Sequence, residues 1–257
     1  MLTIGADVEG FVQRGDNTVA VVGLIGGTKK KPRIVTNGNL QEDNALAEFA
    51  IDIAHTEEQF IRYVRTTMSE LTDVVGKVSY KGSHVFDPKY LSGFGGAVNA
   101  FGCSPEFSVY TRRPIESPDA ALVNGLRTAG GHVHFGYNSP HRGTTARIIQ
   151  AMDILLGIPS VLMDNDTQRR SMYGQAGACR FKSYGGEYRT LSNFWVNSRD
   201  TISWVYRSTE EAVQLVLEGE LALLHDVVSP KEVQNIINNH DTGKAADVCT
   251  QLNLEVL

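Results

Sequence analysis

Four short segments of this chain carry side chains able to hold cations or phosphate. They are Gly5-Ala-Asp-Val-Glu9, Gln41-Glu-Asp-Asn-Ala-Leu-Ala-Glu48, Gly130-Gly-His-Val-His134 and Arg180-Phe-Lys-Ser-Tyr-Gly-Gly-Glu-Tyr-Arg189. Along an extended strand, alternate residues share a face. Asp7 with Glu9, His132 with His134, and Glu187 with Arg189 then project in pairs. A face of carboxylates and imidazoles repels itself unless cations join it. The pattern points to a divalent-metal site that handles an anionic substrate, and so to an enzyme.

Each segment also has a plainer reading. Asp7 and Glu9 are spaced to hold one or two hard cations, yet acidic residues are common on any solvated strand. Glu48 stands among Leu46, Ala47, Phe49, Ala50 and Ile51. A carboxylate embedded that way needs a partner or a metal, because burying a bare charge is costly. Glu42 and Asp43 both qualify as the second ligand of that segment, with Asp43-Asn44 placed in a turn. Two histidines at alternate positions suit a metal or a phosphate, and Gly130-Gly131 lets backbone or ligand come close. Arg169, Arg170, Arg180 and Lys182 cluster before Glu187 and Arg189, where guanidinium forks match phosphate oxygens.

Other reactive-looking residues carry less. Cys103, Cys179 and Cys249 are too few and too scattered for a disulfide framework or zinc knuckle. Cys103 and Cys179 have no histidine close in sequence and read as buried thiols. Lys29-Lys-Lys31 reads as a solvated run, and Gly23-Leu-Ile-Gly-Gly-Thr-Lys-Lys lacks the spacing of a phosphate-cradling loop.

The elements that must position these groups are legible in outline. Leu2 to Val12 reads as a strand, with a hairpin partner over Thr18 to Gly26. Further strands fall at Ile34 to Thr36, Ala45 to Ile53, Lys77 to Phe86, Arg127 to Tyr137 and Gly186 to Leu191. Glu57 to Val75 is a helix by its apolar spacing, as is Thr144 to Leu156, resuming toward Met163. Ser117 to Leu126 reads as a short helix, Arg169 to Lys182 as a loop, and the last third as helical scaffold. Ser229-Pro-Lys-Glu232 has the pattern of a capping box. The sum is an α/β or α+β domain.

Length, 257 residues, suits one domain, and 42% hydrophobic residues suffice for its core. A net charge of −5 argues against a general nucleic-acid binder. With no secretory leader pattern and no run of about 18 apolar residues, the expectation is a cytoplasmic protein.

In order and content, the segments resemble those of glutamine synthetase-type carboxylate–amine ligases. Within that group the chain is similar to the phage-encoded COOH–NH2 ligase (amidoligase) type 2 family. Gln41 to Phe49, Gly130 to Tyr137 and Arg169 to Trp195 carry the similarity, which covers roughly residues 1 to 200. The resemblance implies an α+β, glutamine synthetase-like catalytic domain. Its curved, mainly antiparallel sheet binds ATP and Mg2+ or Mn2+ on the concave face, with helices packed outside. It implies one metal held by Glu9 and Glu48 with Asp43 or Glu42, and another by Asp7, His132 and Glu187. His134 then faces the ATP phosphates, Arg180 and Arg189 meet the transferred phosphate, and Arg170 and Lys182 assist.

The chain departs from that pattern at Asp7, where many relatives carry Glu, and in the short spacing from Asp43 to Glu48. No β-grasp domain precedes the first strand, so a ring assembly is not expected. The implied reaction joins a small-molecule or peptide carboxylate to an amine through an acyl phosphate, in the host cytoplasm if the protein is phage-encoded. A metal-dependent hydrolase, a guanidino-type phosphotransferase and a nucleotide-binding module are the alternatives.

Overall fold

In the computed structural model, residues 1–95, 98, 106–115 and 125–257 are described. The central strand is β1 (Thr3–Arg14), in which buried positions alternate with half-buried ones through its first half. Ile4, Ala6 and Val8 are sealed on one face, while Asp7 and Glu9 point to the other. β2 (Asn17–Val19) folds back on its end. Then come β3 (Arg33–Val35), β4 (Gly38–Asp43) and β5 (Leu46–Ile51).

Helix α1 (Glu57–Val75) has the bounds that its apolar spacing predicts. Thr56 caps it by accepting from the Gln59 amide, Glu57 and Glu58 sit in the positive first turn, and Gly76 closes it at φ +81°. Its buried stripe of Phe60, Val64, Leu71 and Val75 lies against the sheet. Phe60 also stacks on Trp195, with ring centroids 6.0 Å apart. Burying a side chain of that size is worth about 2–3 kcal/mol.

The middle of the chain supplies β6 (Val78–Ser79), β7 (Ser83–Val85), α2 (Pro88–Ser92), β8 (Glu106–Ser108), β9 (Arg113–Ile115), β10 (Leu126–Thr128) and β11 (Gly131–Gly136). Helix α3 (Arg142–Met152) runs through a π turn at Asp153–Gly157 into α4 (Ile158–Met163). The π turn precedes Pro159, which has no amide hydrogen to offer the ladder. This combined helix, Arg142–Met163, is long and apolar enough to cross a bilayer, which corrects the expectation of no such run. In the fold 72% of its apolar window is buried, and it packs on α6 and the sheet as a core helix.

Then come α5 (Thr167–Arg170), β12 (Ala178–Lys182), β13 (Gly185–Tyr188), a 3-10 turn at Asn193–Asn197, α6 (Arg199–Glu218), α7 (Leu221–Val227), α8 (Pro230–Asn238) and α9 (Thr242–Gln251). The Ser229–Glu232 capping box forms as its sequence pattern predicts.

Among the described residues, eleven strands make one sheet whose main path is β3-β4-β5-β1-β11-β13-β12-β8-β9, with β2 and β6 also paired to β1. Every named pairing in it is antiparallel. Helices α1 and α3 cover one face, and α6 packs behind both. An antiparallel sheet with helices on one side agrees with the expected α+β class.

Three element readings need correction. The second hairpin arm shrinks to Asn17–Val19, and the segment after it becomes turns. β4 is an additional strand, because Gly38 opens a tight hairpin that extends to Asp43. Residues 169–182 are not one loop: Arg169 and Arg170 end a short helix, and Arg180 and Lys182 lie on a strand. The short helix expected over 117–126 falls mostly outside the described residues, as does Cys103.

Candidate active site

Antiparallel register brings the four segments together. Asp7 is opposite His132, Gly5 opposite His134, and Glu9 opposite Glu48. His134 is in turn opposite Glu187, and Glu187 opposite Arg180. Alternation then puts all these side chains on the sheet face opposite α1 and α3. Gln41 and Asp43 share that face through β4, whereas Glu42 pairs with Ala47 and turns away. The Glu42 carboxylate instead accepts the amides of Gly23, Ile25 and Gly26.

Two triads result, each with its ligand atoms within 4.8 Å of one another. One is Asp7, His132 and Glu187, the other Glu9, Asp43 and Glu48. Asp43, not Glu42, belongs to the second.

The first triad is wrapped in positive charge. His132 Nδ1 lies 2.6 Å from Asp7 Oδ1, and His134 Nε2 lies 3.1 Å from Asp7 Oδ2. Burial opposes ionisation of Asp7, but these imidazoles outweigh it and hold the carboxyl well below its usual range. Glu187, 1% exposed, is met by Arg189, by Lys182 at 2.7 Å and by Arg180 at 3.4 Å. Burial and the Asp7 charge raise its pKa, yet Arg189, His132 and His134 prevail and hold it at about 2. Burial pushes the His134 pKa down, but Asp7 and Glu187 together carry it above its ordinary value.

The second triad lacks such wrapping. Burial, followed by the charges of Asp7, Glu9 and Asp43, raises the Glu48 pKa well above its usual value. Burial also raises Glu9, with the Asp43 charge adding to the rise and His132 opposing it. Glu9 Oε2 accepts the Gly130 amide at 2.6 Å, and its own carbonyl accepts from Asn193. Glu48 Oε2 is buried with no hydrogen-bond partner among the described residues. A carboxylate with an orphaned oxygen, grouped with two other carboxylates, is what a divalent cation fits.

Glycines 130 and 131 are explained by packing. A Cβ at Gly131 would collide with the Trp195 indole nitrogen and the Ser192 carbonyl, and one at Gly130 with the His132 ring. The bare backbone lets β11 lie close to the segment that carries Trp195.

The cations divide by position. Arg180 and Lys182 are partly open, with side chains 26% and 32% exposed. Arg189 is buried between Glu187 and Glu106, donating to Glu106 at 2.6 Å. Arg169 donates to the Thr190 and Arg189 carbonyls and braces that strand end. Arg170 corrects the expected phosphate role. It ends α5 pointing into the helical layer, bonds Ser160 Oγ at 3.3 Å and faces Asp164 at 3.8 Å. Burial lowers its pKa, and it stays charged against Asp164. Cys179 is buried, and burial raises its thiol to about 12, as suits a packing residue.

Beyond Asp7 and His134 the sheet face opens into a largely apolar cleft of about 280 Å3. Ile51, Ile53, Ala50, Gly136 and Tyr184 help to line it. At the Glu9 end a small apolar cluster, including Phe11, Leu46, Phe86 and Leu91, closes the site.

Three contributors have no signal in the sequence pattern. Tyr184 hydroxyl is 2.7 Å from His134 Nδ1, and Glu106 comes from a three-residue strand. Lys29, read as part of a solvated run, lies 2.6 Å from Asp43.

Comparison with known proteins adds one family. A family model described as phage phiEco32-like COOH.NH2 ligase-type 2 matches residues 121–256. No curated protein sequence matches the chain. Among solved structures, a crystal structure of a novel glutamine synthase homolog is similar at 10% identity and a TM-score of 0.40. The alignment covers 98% of this chain and 68% of that one.

Proposed function

The chain belongs to the phage phiEco32-like COOH.NH2 ligase-type 2 family, and we propose that it is an ATP-dependent carboxylate–amine ligase working with Mg2+ or Mn2+. The observation that carries the reading is the pair of triads set side by side on β1, with a buried, unpartnered Glu48 oxygen in one of them. Asp7, His132 and Glu187 would hold one cation, and Glu9, Asp43 and Glu48 another. When bound, such cations neutralise phosphate charge and favour in-line transfer.

The chain's own residues do the rest. The apolar cleft beside Asp7 and His134 accepts the flat base of the nucleotide. That orientation runs the phosphates along His134 toward Glu187, where Arg180 and Lys182 are exposed enough to meet them. The substrate carboxylate attacks the γ-phosphorus, giving an acyl phosphate and ADP. The amine then attacks the acyl carbon and phosphate leaves, so that an amide forms and the amine loses a proton. Arg180 supplies fixed positive charge where negative charge builds. Arg189, clasped by Glu106 and Glu187, keeps Glu187 oriented. Substrates are small or peptidic carboxylates and amines, brought together so that little entropy remains to be lost in the transition state.

The test is ADP release in mixtures of carboxylates and amines, with the product identified by mass. Amide plus ADP supports the ligase. ADP with a stable phosphorylated product, phosphoester cleavage without ATP, or nucleotide binding without turnover would each replace it.

A further inference from the structure

The glycine- and lysine-rich stretch after β2 is not a loose solvated loop. Glu42 turns off the active face and takes the amides of Gly23, Ile25 and Gly26, two of them at 3.0 Å. Its own amide donates to the Gly27 carbonyl at 2.9 Å, and Thr28 bridges both Glu42 and Lys31. Gly27 packs so closely on the Leu40 carbonyl and the Arg33 amide that no side chain fits there. Six residues in a row are therefore fixed beside the end of β4. The neighbouring residue on that strand, Asp43, receives the Lys29 ammonium at 2.6 Å. Lys30 and Lys31 on the same loop are exposed.

Asp43 is thus claimed twice, by a tethered ammonium and by the Glu9–Asp43–Glu48 triad. Arg189, Lys182 and Arg180 all serve Glu187 in the other triad. Lys29 makes the ion pair to the second triad among the described residues, while His132 and Arg189 also bear on Glu9 electrostatically. Its side chain is 48% exposed, so a swing into solvent is cheap.

We propose that Lys29 is a built-in competitor for the divalent cation at Glu9, Asp43 and Glu48. It steadies the three carboxylates and sets the cation concentration at which that site fills. The loop anchored by Glu42 acts by holding Lys29 in reach. The inference rests on the metal-site reading above and deepens it.

Manganese binding to the purified protein without nucleotide, followed by electron paramagnetic resonance or calorimetry, tests it. Lys29→Met should tighten one manganese site about fivefold, the scale of a half-exposed ion pair. In chelator it should also melt at a lower temperature than wild type, because three carboxylates lose their counter-charge. Lys30→Met and Lys31→Met remove the same charge from the same loop and should leave that affinity within error. Glu48→Gln identifies the site by abolishing it. Unchanged or weaker binding in Lys29→Met, or an equal gain in Lys30→Met and Lys31→Met, overturns the Lys29 role and leaves the metal site standing. No manganese bound by folded wild-type protein overturns the metal-site reading itself.

Discussion

The two triads share one strand, yet they are built on opposite electrostatic terms. Around Asp7, His132 and Glu187 the protein supplies His134, Arg180, Lys182 and Arg189, and both acids are held ionised. Around Glu9, Asp43 and Glu48 it supplies Lys29, and Glu48 and Glu9 are pushed toward their neutral forms. The first is a finished ion-pair network, and the second is an unbalanced one. A stabilised network holds geometry, whereas an unbalanced one holds binding energy for a cation.

The largest expected effect is shared by both. His132→Ala, Glu187→Gln and Glu48→Gln should each lower ADP release by about a hundredfold or more, since each removes a charge-stabilising group from the reacting centre. Near-wild-type turnover in any of them, with folding confirmed, removes that residue from the site.

Stability should then separate the triads. Glu187→Gln breaks a buried network and should cost about 3 kcal/mol of unfolding free energy. Glu48→Gln removes a buried charge with little compensation and should raise the stability of chelator-treated protein by about 1 kcal/mol. It should also erase stabilisation by added Mg2+. Denaturant titrations in which the two variants move in the same direction would show that the triads do not differ in this way.

Acid should reveal the same opposition. The folded pKa of Glu187 is lowered to about 2. Its contribution is therefore present above the usual glutamate value and lost as pH falls toward 2. The folded pKa values of Glu48 and Glu9 are raised. Their contribution is present below the usual value and lost as pH rises through the raised one. Chelator-treated protein should thus gain stability from Glu48 and Glu9 on mild acidification, before Glu187 begins to titrate. Glu48→Gln should remove most of that gain, and a stability profile identical to wild type would contradict it.

The smallest effect lies far from the site. Ser229→Ala deletes a complete capping box on α8 and should cost about 1 kcal/mol without changing KM. A changed KM would show that the C-terminal helices reach the substrate.

Much of this was legible from alternation alone. Asp7 with Glu9, His132 with His134, and Glu187 with Arg189 needed only extended chain to share a face; β1 and β11 place the first two pairs there, and β13 places Glu187, with Arg189 one residue past its end still bonded through its amide to the Ala178 carbonyl. The choice between Glu42 and Asp43 was not legible, since it turns on whether residues 38–43 form a strand. Once β4 exists, alternation sends Glu42 to the loop and Asp43 to the triad. Arg170 misled because proximity in sequence to Arg180 hides a helix end that turns it to the opposite side of the sheet. Lys29, Tyr184 and Glu106 reach the site through tertiary contacts between distant segments, and local spacing carries no trace of those.

Anomalous scattering from crystals grown with Mn2+ and a non-hydrolysable ATP analogue locates the cations themselves. Two manganese peaks are expected near β1, one among Asp7, His132 and Glu187 and the other among Glu9, Asp43 and Glu48, with phosphate oxygens between them. Nucleotide bound elsewhere, or manganese absent from both triads, would contradict it.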